Sequence, residues 1–243
     1  MIVVLRGHIR NSFQTRTLYF FLKRICSLVP KVRLYVHTWN VVSNSTSWRY
    51  VERNDAPVTE DLVRAYLDGL PVRHVIVDDD RFVTLHGNLE GKVGRSNMPL
   101  LGWKNYWYGK HRILHHLLQH EPSSEVVLNC RFDVFDNSNS LALEPTFAFV
   151  QRNAPAPLKA NVFLLDKPFL GVDNLYMGTV QTMYMLSRQF YFHLDRLLLA
   201  NRDCTNQEYL VFEANALLFL QPRFKHFTYT HKATKAYHSF KKP

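Results

Sequence analysis

Short runs of consecutive apolar, mostly β-branched residues alternate with longer stretches of helical period through the first half of the chain. Residues 2–5 (IVVL) offer nothing polar to solvent, the pattern of a central strand covered on both faces. After a polar turn, Leu18, Phe21, Leu22, Ile25 and Leu28 recur at helical spacing, with Asn11 or Ser12 as N-cap and Pro30 as the stop. Residues 32–38 (VRLYVHT) read as a second strand. A loop rich in Asn and Ser follows, and Thr59 then opens a short helix, TEDLVRAYL, whose acids fall in the first turn where the helix dipole favours them. A third strand, 72–77, ends at Asp78-Asp79-Asp80. A glycine-bearing connection leads to a helix over about 104–120, closed by Pro122. The fourth strand, 125–129, runs straight into Cys130-Arg131-Phe132-Asp133.

Strands alternating with helices in this way predict βαβ units and a mostly parallel twisted sheet flanked by helices, an α/β fold. The second half is less regular. It reads as a strand at 161–165, helices over about 179–200 and 206–220, and a strand near 226–230. No repeat and no Gly/Pro/Ser linker divides the chain. It reads as one domain, with 1–135 binding a cofactor or donor and 136–243 completing the site.

Composition changes this picture in three places. No apolar run approaches the roughly 20 residues that cross a bilayer. The opening MIVVLRGHIR lacks the charge-first order of a signal peptide, so a soluble cytoplasmic protein without a transmembrane segment is expected. The three cysteines, Cys26, Cys130 and Cys204, are far apart and show no CxxC spacing, the pattern of reduced thiols. The net charge of +10 suggests a nucleic-acid binder at first. However, Arg223, Lys225, Lys232, Lys235, Lys241 and Lys242 lie in an acid-free tail, so most of the excess is local. A basic tail on a nearly balanced body suits capture of phosphate.

In open α/β sheets, ligands lie beyond the carboxyl ends of the strands, where the strand order reverses. The candidates are therefore Arg6-Gly7-His8, Thr38-Trp39-Asn40, Asp78 to Asp80, and Arg131-Phe132-Asp133. No GxGxxG, GxxxxGK[ST] or GxSxG occurs, which argues against dehydrogenase, P-loop and hydrolase readings.

LRGHIRNSF at 5–13, YVHTWN at 35–40, WKNYWYGK at 103–110, RFD at 131–133, VDNLYMGTVQTM at 172–183 and NQEYL at 206–210 together resemble GT-A-type glycosyltransferases. The similar proteins are those encoded by large algal viruses and bacterial polysaccharide clusters, including WavE-like lipopolysaccharide proteins. The order of these short motifs carries the resemblance. It implies strand order 3-2-1-4, a UDP- or GDP-sugar donor, and a glycan or glycoprotein acceptor. It also implies a Mn²⁺ or Mg²⁺ ion acting as Lewis acid on the departing diphosphate, with an Asp-x-Asp motif after the fourth strand. Here that place holds Arg131-Phe132-Asp133. Asp133 is the expected ligand, while Arg131 replaces the first carboxylate and could contact the diphosphate or donor sugar directly. Asp78 to Asp80 is the alternative metal site, or a solvated strand end or helper in nucleotide binding, and a site without metal is the third reading.

By the same resemblance Arg6, Gly7, His8, Thr38, Trp39 and Lys235 are donor-binding residues and His231 an added metal ligand. Plainer readings stand beside them: a hydrogen-bonded turn at Arg6 to His8, a packing role for Trp39, and a solvated tail around His231, Lys232 and Lys235. For an inverting transfer, Glu208 or Asp173 is the candidate base for the acceptor hydroxyl. Either carboxylate also suits a helix start.

The pairs His111/His115 and His116/His120 have the i,i+4 spacing of zinc ligands. Without an HExxH glutamate or a clear third ligand beyond Glu121, they read as a polar helix face. The alternative to an enzyme is a non-catalytic nucleic-acid- or glycan-binding protein using the aromatic residues as stacking platforms, and of these nucleic acid is not the expected partner.

Overall fold

The computed structural model describes residues 1–47, 51–135, 142–164, 175–202 and 207–219, with the backbone alone for 207–209, 212, 213 and 216. Eight strands and six α-helices occur among them. The strands are β1 (Ile2–Arg6), β2 (Arg33–Trp39), β3 (Val41–Ser43), β4 (Asn54–Pro57), β5 (Val72–Asp78), β6 (Val126–Arg131), β7 (Val162–Phe163) and β8 (Leu175–Thr179). The helices are α1 (Thr17–Leu28), α2 (Glu60–Tyr66), α3 (Leu100–His120), α4 (Leu143–Asn153), α5 (Val180–Ala200) and α6 (Gln207–Phe219).

Six strands form one sheet in the order β5-β2-β1-β6-β8-β7. The first four are parallel, β8 runs antiparallel to β6, and β7 is antiparallel to β8 and so runs with the first four. This is the expected α/β class, and the four parallel strands follow the expected order of third, second, first, fourth. Strand pleating explains the unbroken apolar run of β1. Ile2 and Val4 face a core built with α3, α5 and α6, whereas Val3 and Leu5 face a second core built with α1, α2 and α4. In α1, Leu18, Phe21, Leu22 and Ile25 are all buried, each burial contributing about 1.5–3 kcal/mol.

Some local expectations shift. Ser12 does not cap α1, because Ser12–Gln14 is a separate 3-10 turn in which the Ser12 hydroxyl donates to the Ile9 carbonyl. β1, β2 and β6 run one or two residues further than their apolar patterns, because Arg6, Trp39 and Arg131 continue the ladders. α3 starts earlier, at Leu100, directly after Pro99. The hairpin β3–β4, helix α4 and strand β8 carry no strong pattern of their own. β8 exists because it completes the ladder beside β6. The strand expected near 226–230 lies outside the described residues.

Cys130 is buried and Cys26 half-buried, both as free thiols. Burial pushes the Cys130 thiol up to about 12. Cys204 lies outside the described residues. None of the described helices is long and apolar enough to cross a membrane.

Candidate functional site

β1 leads to β2 and then β5 on one side, whereas β6 returns to the other side of β1. The strand order therefore reverses between β1 and β6, which leaves a crevice beyond their carboxyl ends. Register places Arg6 beside Arg131 on one neighbour and beside His37 on the other. These three side chains share the sheet face covered by α3.

Arg6 is 1% exposed, and a buried charge must be fully partnered. Its Nε donates to Asn129 Oδ1 at 2.7 Å and its Nη2 to Tyr106 Oη at 2.5 Å. The guanidinium also lies over the Tyr106 ring, 4.1 Å from the centroid. Asn129 and Arg131, two apart on β6, face the same way, and Tyr106 comes down from α3. Asn129 Nδ2 is buried with no hydrogen-bond partner.

Asp133 follows β6 in a short turn anchored by the buried Phe132 and Val134. Its backbone, at φ −90° and ψ 17°, sits in the sparsely populated bridge region. Arg131 grips its carboxylate through Nε to Oδ1 at 2.7 Å and Nη2 to Oδ2 at 2.6 Å. Arg10, from the loop after β1, adds Nη1 to Oδ2 at 2.7 Å. Gly7 turns the chain between Arg6 and this loop at φ +97°, a left-handed conformation that a side chain would strain.

His8 stacks on Trp39 at 5.7 Å, and Trp39 in turn stacks on Tyr108 at 5.7 Å. Burial pushes the His8 pKa down to about 3, and Arg10 acts in the same direction. The ring is therefore neutral near pH 7. His37 is fully buried and burial lowers its pKa too. Its Nε2 lies 3.2 Å from Asp78 Oδ2. An ionised Asp78 only accepts, so the His37 proton resides on Nε2. Burial alone would raise the Asp78 pKa, but hydrogen bonds from His37 and Tyr108 and the charge of Arg112 outweigh it and hold it low. Tyr108 donates to the same oxygen at 2.9 Å, and burial plus that carboxylate push its phenol up.

Thr38 is also at the crevice edge, but its hydroxyl donates to the Gly7 carbonyl at 2.9 Å and ties β2 to the turn. Trp39, 2% exposed, braces the rings on either side of it. The structure thus brings Arg6, Gly7, His8, Thr38, Trp39, Arg131 and Asp133 together. Asp173, His231, Lys232 and Lys235 lie outside the described residues. Glu208 is the second residue of α6, and only its backbone is described.

The run Asp78 to Asp80 is not a cluster. Asp78 is engaged as above, Asp79 pairs with Arg81 at 2.7 Å, and Asp80 accepts from Asn44 at 3.0 Å and Arg53 at 3.4 Å. Successive strand-end residues point in different directions, so the three carboxylates serve three partner sets. Nor do the helix histidines form a zinc site. His111 stacks on Tyr191 at 4.4 Å, while His116 lies between His74 at 4.1 Å and His120 at 4.2 Å. Among the described residues no group of three His, Cys, Asp or Glu side chains can hold a metal ion. Asp133, with both oxygens on guanidinium groups, does not fit a divalent ion either.

Sequence reading missed Arg10, His37, Tyr106, Tyr108 and Asn129. Part of the signal was present: Asn129 and Arg131 are two apart on one strand, and Tyr106 and Tyr108 fall in one helix next to Gly109. A cavity of about 480 Å³ opens beside this site, with Asp78, Phe82, Tyr108, His111, Arg112 and Tyr191 in its wall.

No family model matches the chain, and no curated protein matches it. Among solved structures, the galactosyltransferase LgtC in complex with donor and acceptor sugar analogues matches with TM-score 0.39 and 12% identity, over 90% of this chain and 70% of that one. An active-site mutant of LgtC matches with TM-score 0.38 and 12% identity, over 98% and 82%. At these values the likeness carries no argument, and the α/β architecture stands on the strand order itself.

Proposed function

We propose that this chain is a GT-A-type glycosyltransferase that moves a hexosyl or pentosyl group from a UDP- or GDP-sugar to a glycan or glycoprotein. The observation that carries the reading is the register pair Arg6 and Arg131 at the carboxyl ends of β1 and β6, where the strand order reverses. Guanidinium groups at such a crevice select a multiply charged oxyanion, and a nucleoside diphosphate is one. The ordered series of motifs from LRGHIRNSF to NQEYL supplies the sugar-transfer part of the proposal.

In this reading Arg6 is the fixed floor of the donor site. Arg131 and Lys235 approach the diphosphate, while Gly7, His8, Thr38 and Trp39 shape the wall. Glu208 or Asp173 removes the acceptor hydroxyl proton as that oxygen attacks the anomeric carbon; the bond to the diphosphate breaks and the nucleoside diphosphate leaves. Mn²⁺ or Mg²⁺ on Asp133 and His231 belongs to the family resemblance, but the engagement of Asp133 gives no ground for assigning it a step. Residues 1–135 serve the donor and 136–243 the acceptor within one domain, in a cytoplasmic enzyme of a virus-encoded or surface-polysaccharide pathway.

The test is thermal unfolding with UDP, GDP, CMP and their sugars, followed by turnover with candidate acceptors. A ligand at 100 times its Kd stabilises by about 2.7 kcal/mol. We expect one nucleotide class to stabilise the chain. We also expect either Glu208→Gln or Asp173→Asn to lose about 10²–10⁴-fold in turnover while keeping that stabilisation. A chain indifferent to every nucleotide would rule out the transferase reading.

A further inference from the structure

Asp133 stands where the resemblance expects a metal ligand, yet its surroundings are those of a bound anion. A carboxylate that ligates Mg²⁺ or Mn²⁺ directs its oxygens to the cation alongside several other hard oxygens. Asp133 is 7% exposed at its side chain and accepts charge-assisted hydrogen bonds at 2.6–2.7 Å from Arg131 Nε and Nη2 and from Arg10 Nη1. A cation here would lie against two guanidinium groups, with Arg6 on the neighbouring strand. Among the described residues Asp78, beyond the end of β5, is committed to His37 and Tyr108.

Arg10 adds an independent observation. It is one of two non-glycine residues with positive φ among the described residues, at +48°. This costly backbone is held by its own N–H donating to the Val42 carbonyl at 3.0 Å. From this loop the Arg10 guanidinium reaches Asp133 Oδ2, the oxygen that Arg131 Nη2 also holds. The Nε/Nη2 edge with which Arg131 grips Asp133 is the same planar fork that binds phosphate oxygens bidentately.

We infer that this site holds a nucleoside diphosphate without a divalent ion, with Arg10 and Arg131 taking the neutralising role and Asp133 acting as the internal anion whose place a phosphate takes. This deepens the transferase reading and rests on it.

The two roles for Asp133 predict opposite signs. A metal ligand changed to Asn weakens nucleotide binding, whereas removal of a competing internal anion leaves it unchanged or tighter. We would titrate the full chain with UDP and with GDP by calorimetry, once in EDTA and once in Mn²⁺. Mn²⁺ uptake would be followed separately by electron paramagnetic resonance. The expected result is the same Kd in both media, no bound Mn²⁺, binding at least as tight in Asp133→Asn, and a loss of at least about tenfold in Arg10→Ala and Arg131→Lys. Binding that tightens at least about tenfold with Mn²⁺, or stoichiometric Mn²⁺ uptake, overturns the inference and leaves the transferase reading intact. Failure of both nucleotides in both media overturns the transferase reading, and the inference with it. If Asp133→Asn does not fold, the comparison of EDTA with Mn²⁺ on the unaltered chain decides alone.

Discussion

His37 carries no charge, yet it sets part of the site's geometry and much of its pH response. It is fully buried, donates to Asp78, and has an Nδ1 with no partner. Its pKa in the folded chain lies below the unfolded value of about 6.5, and that of His8 falls to about 3. The unfolded chain takes up these protons first. Stability is therefore full above pH ~6.5 and is lost as pH falls from there towards the folded values. Each tenfold difference in proton affinity between the unfolded and folded chains corresponds to about 1.4 kcal/mol of that loss. Asp78, also depressed, adds its loss below pH ~4. We expect the melting temperature to hold above pH 7 and decline between pH 6.5 and 4, with a shallower decline in His37→Gln. Identical slopes for the two proteins would remove His37 from this account. At this scale the sequence was partly legible. Arg6, His8, Thr38, Trp39, Arg131 and Asp133 stood out because strand ends are visible in the apolar pattern. That Arg10 and Arg131 would close on Asp133 was not, because it depends on a left-handed residue in a loop and on a register between distant strands.

At the scale of elements, α3 shows how one small residue lets a helix serve a site. Gly109 faces His37, and a Cβ there would lie 2.7 Å from Nδ1 and 2.8 Å from Cε1. The contact brings α3 down onto β2 and sets Tyr106 over Arg6 and Tyr108 against Asp78. Gly109→Ala should push the helix away and cost about 1–3 kcal/mol, read as a lower denaturation midpoint, with weaker nucleotide binding beyond the stability loss. Unchanged stability would mean that the helix has room to move. α1, α2, α3, α5 and the four parallel strands were legible because their burial patterns are periodic or unbroken. β8 was not: its LYMGT sequence is uniformly buried between β6 and β7, and its strand character comes from those neighbours. α4 was hidden by Pro145, which falls within its first turn where proline is tolerated.

At the scale of the molecule, charge and topology combine. The sheet gathers guanidinium groups at one edge, and the sequence carries six further cations in an acid-free stretch, 223–243. If that stretch serves the donor, changing Lys232 and Lys235 together to Gln should weaken nucleotide binding and flatten its salt dependence without altering the melting temperature. Equal affinity and an equal salt slope would assign those residues to some other task.

The amino-acid sequence by itself determined the α/β class, the positions of the strand ends, and the excess of positive charge. Apolar periodicity and formal charge are local properties that survive without knowledge of neighbours. Only the tertiary structure decided that Arg6 sits beside Arg131, that the three aspartates of 78–80 part company, and that Asp133 is gripped by arginines. Those outcomes depend on strand order and register, which are fixed by the packing of two cores and not by any one segment.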